Sequence, residues 1–147
     1  MRGTIEKELR HMQFLARSMQ GCDISSVALV VLLELNIPTN HIGFDYLLNA
    51  VVLFYKDSQQ TLNRGIYPAV AACYKYDMGN EELEQAMRNA IKNAWKNRDE
   101  AVWKYYFSQG NCDRIKKPTN SEFISRIGRV LQLWQGCCKE EVGHEER

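Results

Sequence analysis

Apolar residues recur three or four positions apart along nearly the whole chain, and no stretch of useful length alternates apolar with polar residues. That period gathers apolar side chains on one face of a helix and would scatter them over both faces of a strand. Pro38, Pro68 and Pro118 each precede or open such a segment. Proline has a near-helical φ and no N–H, which suits a helix beginning and disrupts a helix interior. The expectation is an all-α protein, a six- to seven-helix bundle.

The segments can be placed along the chain. Residues 4–20 form an amphipathic helix with Ile5, Leu9, Met12, Leu15, Ala16 and Met19 on one stripe. Residues 24–35 form a very apolar second helix, capped at Asp23 or Ser25. A third runs from about Asn40 to Asp57, and a short fourth starts near Pro68 and ends near Tyr76. Asp77-Met78-Gly79-Asn80 reads as a turn, with Asn80 as N-cap of a fifth helix over 81–97. A sixth covers 99–108, Gly110-Asn111 breaks it, and 119–134 is the last. Thr119-Asn120-Ser121-Glu122 fits a capping box, with Pro118 just ahead of it and Phe123 placed to pack back as a staple. The domain reading is an N-terminal extension at 1–22, a helical domain at 23–135 and a flexible polar tail at 136–147.

Composition narrows the function classes. With 147 residues, the chain can bury one real core. Its longest apolar run, Val27 to Leu33, stops at Glu34, short of a membrane span, and MRGTIEKELR has no signal-peptide core. A cytoplasmic protein is expected, with no membrane partner. The five cysteines are scattered and include no C-x-x-C pair, which fits neither a disulfide framework nor a zinc site. His11, His41 and His144 are far apart, and no glycine loop for phosphates is present. No enzyme, cofactor or metal is expected. Net charge is +1, but residues 114–129 hold Arg114, Lys116, Lys117, Arg126 and Arg129 against Glu122. Such a stretch is either a phosphate-facing patch or a solvated helix face.

Helix, short turn, helix over about 67–97 is the arrangement of a helix-turn-helix, whose second helix enters the DNA major groove. Gln85 and Arg88 have the chemistry for adenine and guanine edges, while Lys92, Lys96 and the N-terminal Asn80 suit phosphates. The competing reading is a helix with acids first and bases last, which complements its own macrodipole without any ligand.

IPTNHIGFDYLLNAV (37–51), IYPAVA (66–71), LEQAMRNAIKNAW (83–95) and KPTNSEFI (117–124) occur in this order. Together they resemble the C-terminal DNA-binding domain of the master response regulator of sporulation initiation in Firmicutes, over about residues 24–135. The resemblance implies a six-helix effector domain with a helix-turn-helix, acting as a transcription factor on double-stranded DNA. It places the base-reading positions on Glu82, Glu84 and Gln85. The family carries arginines where Glu82 and Gln85 stand and a glutamate where Glu84 stands; Arg88 is retained. The interval from Tyr67 to Leu83 is slightly longer than in the family. The residues ahead of the domain are too few for the receiver that normally precedes it. Two readings stay open. One is a regulator with Glu82, Glu84, Gln85 and Arg88 facing bases and Asn80, Lys92, Lys96, Lys116 and Lys117 facing phosphates. The other is a protein-interaction module of the same fold that no longer reads DNA. Helix 4–20 suits a homodimer or a protein partner in either case.

Overall fold

The structure, a computed structural model, describes residues 23–74, 79–108 and 115–145, with side chains up to Gln135. The expected helix at 4–20 lies outside the described residues. Among them are six α-helices and no strand, an all-α bundle: α1 (Ile24–Glu34), α2 (Ile42–Lys56), α3 (Tyr67–Tyr74), α4 (Asn80–Lys96), α5 (Glu100–Phe107) and α6 (Asn120–Glu145).

α2 is the hub, packing on α1, α4 and α6. Phe44, Leu47, Ala50 and Val51 are buried along it, as the helical spacing of its apolar residues requires. Its crossing with α4 is close because Gly43 carries no side chain there. A Cβ on Gly43 would lie 2.2 Å from the Ala86 carbonyl oxygen. α1 is stopped by Asn36, which adopts a left-handed φ of 61°. The Asn36 and Ile37 N–H groups then donate back to Leu33 and Leu32 at 3.1 Å each. This is the Schellman closure, with asparagine in the position glycine usually takes. The Asn36 amide also reaches the Asn97 carbonyl at the end of α4, 3.3 Å away.

Three features differ from expectation. A π-helical turn, Leu62–Ile66, leads directly into α3. The N–H groups of Gly65 and Ile66 both converge on the Thr61 carbonyl at 3.0 Å. The N-cap of α4 is Gly79, not Asn80. Asn80 is already helical, and its side-chain amide instead donates to the Asn63 carbonyl at 3.0 Å, tying α4 to the π-turn. Finally, α6 passes Trp134 and continues to Glu145. No proline follows Pro118, and an isolated glycine such as Gly136 costs a helix only about 1 kcal/mol.

The capping box at the start of α6 forms as read. The Glu122 N–H donates to Thr119 Oγ1 and the Thr119 N–H to Glu122 Oε1, both at 3.2 Å. Behind it, Phe123 joins an aromatic cluster with Phe107 and Trp103, at centroid separations of 5.5 and 6.4 Å. Trp103 is fully buried and donates its indole N–H to the Leu35 carbonyl at 3.1 Å. The cluster joins α1, α5 and α6 behind α4, leaving the outer face of α4 uncovered.

Candidate nucleic-acid interface

α3 and α4 pack on each other as the two arms of the expected helix-turn-helix. Residues 75–78 of the turn between them lie outside the described residues. α4 buries Leu83, Met87, Ala90, Ile91 and Ala94. At 3.6 residues per turn these define one narrow face, and the opposite face is centred on Gln85, Asn89, Lys92 and Lys96. All four are exposed, as is Arg88 beside them.

The exposed polar groups are ordered along the helix. Gln85 donates to Asn89 Oδ1 and accepts from Arg88 Nη1, each at 3.0 Å. These i,i+4 and i,i+3 bonds hold the amide and the guanidinium side by side, the pairing that can address adjacent base edges. Lys92 and Lys96 continue the same face toward the C-terminal end.

Glu82 and Glu84 diverge, because two residues along a helix turn by about 200°. Glu82 is exposed on the flank toward α2. The Tyr46 hydroxyl is held above its ordinary value by burial first, then by the negative charges of Glu82 and Asp45. Glu84 is half-buried on the other flank, where its carbonyl accepts from the Asn120 amide at 3.0 Å. The Tyr67 hydroxyl beside it is raised chiefly by burial. Its hydrogen bond with Asn120 and the charge of Arg88 pull the other way. Of the four residues read as base-facing, then, Gln85 is central on the outward face, with Glu82 and Arg88, each three residues away, exposed on either side of it. Glu84 is half-buried on the flank toward α6.

The phosphate candidates separate in the same manner. Lys92 and Lys96 lie on α4. Lys116 and Lys117 are exposed on the extended stretch before α6. Asn80 is half-buried and its amide is committed to Asn63.

Sequence reasoning missed one cation. Arg64, on the π-turn, joins Arg88 and Lys117 around a cleft of about 790 Å³ between the π-turn, α4 and the start of α6. Counting charges along the chain finds the 114–129 stretch but not Arg64, which is brought to it only by the fold. Among the described residues, no group of His, Cys, Asp and Glu is arranged to hold a metal ion, and no helix is long and apolar enough to cross a membrane.

The family model described as sporulation initiation factor Spo0A C terminal matches residues 29–131, which is well over half of the chain. The match runs from the middle of α1 through α5 to the first half of α6, so it takes in both arms of the helix pair and all three walls of the cleft.

Proposed function

The chain belongs to the family of the C-terminal domain of the sporulation initiation factor Spo0A, and from that premise we propose that it is a DNA-binding transcriptional regulator acting in the cytoplasm. α4 is the recognition helix. Gln85 and Arg88 face base edges in the major groove, and Lys92, Lys96, Lys116 and Lys117 face phosphates. The observation that carries this reading is the outer face of α4. It is polar, exposed along its length, and presents a hydrogen-bonded amide–guanidinium pair on the second helix of a helix-turn-helix.

Glu82 and Gln85 stand where the resemblance places arginines, so the preferred sequence differs from the family's own. An acid near a guanine edge accepts where a donor is needed, and phosphates repel it. A chain lacking those arginines binds the family's box weakly and favours a site with adenine opposite Gln85.

Arg88→Ala tests this directly. Loss of a bidentate guanidinium–guanine contact costs about 1–3 kcal/mol and relaxes preference at one position. Competition between duplexes differing at that position should show the wild type discriminating and the variant not. An unchanged preference would remove Arg88 from base reading.

A second reading rests on Glu81 and Glu82, both exposed in the first turn of α4. An acidic entry to the helix suits a basic protein surface better than a phosphate backbone. In that case the chain pairs with a protein partner, or with a second copy, and binds no duplex at low salt.

A further inference from the structure

The cleft under α4 gathers three cations, of which base reading uses Arg88 alone. Arg64 comes from the π-turn, Arg88 from α4 and Lys117 from the stretch before α6, so three separate elements each contribute one cation to a single concavity. Among the described residues that line it, Glu84 is the one acid, and the cationic charge is in excess. Arg88 donates to Gln85 rather than to an acid, and Arg64 and Lys117 are exposed. Three cations lining one concavity make it electropositive and favour an anion there.

The geometry supports the same ligand. The cleft opens at the first turn of α6, where Thr119, Asn120 and Ser121 line it and Glu122 already closes the capping box on the Thr119 N–H. Its floor carries the buried Tyr67, hydrogen-bonded to Asn120, which also donates to the Glu84 carbonyl. Those bonds fix polar groups at the back of the cleft. The walls are braced too: the Asn80 amide bridges α4 to the π-turn through the Asn63 carbonyl at 3.0 Å.

We propose that this cleft is a phosphate-binding site, with Arg64 and Lys117 as its two jaws and Arg88 at the rim it shares with the recognition face. The ligand is a phosphoryl group. Its source is either a backbone phosphate of the duplex on α4 or a free phosphorylated small molecule. The first source rests on the DNA-binding reading above; the second does not. Because Arg88 belongs to both surfaces, phosphate in the cleft and base contact on α4 are coupled.

The test uses the full chain and two probes. In the first arm, a nucleoside 5′-monophosphate and the corresponding unphosphorylated nucleoside are titrated while backbone amide resonances are followed. The phosphorylated probe should shift Thr61 to Arg64 and Thr119 to Ser121, the other should not, and an Arg64→Gln, Lys117→Gln double variant should lose the response. Circular dichroism checks that the variant is folded, which is expected because both side chains are exposed. Equal shifts with both probes, or none, overturn the site, whatever the duplex does. In the second arm, duplex affinity is measured against salt for wild type and double variant. A slope reduced by about one per lost cation assigns the site to backbone phosphate. An unchanged slope, with the first arm positive, assigns it to a free phosphorylated ligand. Absence of duplex binding with a positive first arm removes the DNA reading and keeps the site.

Discussion

Gly43 and Gly128 each carry a hydrogen where any other residue would carry a carbon, and their surroundings respond differently to a methyl group. At Gly43 the added Cβ meets the backbone of Ala86, 2.2 Å from its oxygen, and backbone in a packed helix cannot step aside. At Gly128 it meets the Phe54 ring edge at 2.5 Å, a side chain that can rotate. Alanine gains roughly 0.5–1 kcal/mol over glycine inside a helix, while overpacking costs about 1–3 kcal/mol. The clash should win at Gly43→Ala, lowering the urea midpoint clearly, and the two effects should nearly cancel at Gly128→Ala. Tyr106 sets a pH limit. Its hydroxyl donates to Glu34 Oε2 at 2.8 Å, and burial followed by the Glu34 charge holds the phenol far above its ordinary value of about 10. Above that pH the unfolded chain releases a proton that the folded chain keeps, so stability is complete below about pH 10 and declines as pH rises further. Urea midpoints measured at about pH 8 and about pH 10.5 should fall for wild type and fall less for Tyr106→Phe, which is itself weaker at neutral pH by about 1–2 kcal/mol.

At the scale of elements, α6 depends on its first turn. Thr119→Ala removes the acceptor for the Glu122 N–H and should cost about 1 kcal/mol, read as a lower thermal midpoint. Serine at the same position should restore most of it, because the hydroxyl does the capping. This box was legible in the sequence because every partner lies within three residues. Helix positions were legible for a similar reason: apolar spacing and proline placement are local, and they located all six described helices. The exceptions are instructive. Asn36 closes α1 in a left-handed conformation that glycine usually supplies, so no glycine announced it. The π-turn at Leu62–Ile66 was hidden because the proline signal at Pro68 lies beyond it and set the helix start there. Gly79 rather than Asn80 precedes α4, and the Asn80 amide donates instead to Asn63, seventeen residues earlier, a contact that no local pattern announces. The site divides on the same line. The exposure of Gln85 and Arg88 follows from the period of their own helix. The cleft does not, since nothing near Arg64 encodes its approach to Lys117.

For the molecule as a whole, charge is close to balanced, with a net value of +1. Long-range attraction to DNA is therefore weak, and on the proposed reading binding comes from cations gathered by the fold on one side of α4. Affinity should fall with salt in proportion to the few phosphates contacted, less steeply than for a strongly basic domain. The central claim is that the outer face of α4 reads DNA, and selection from a random-sequence duplex pool at two salt concentrations tests it most directly. The account predicts an enriched motif, distinct from the family's own box, carrying guanine at a position that Arg88→Ala no longer prefers, with weaker retention at the higher salt. No enriched motif, together with no retention of bulk duplex at the lower salt, would contradict it.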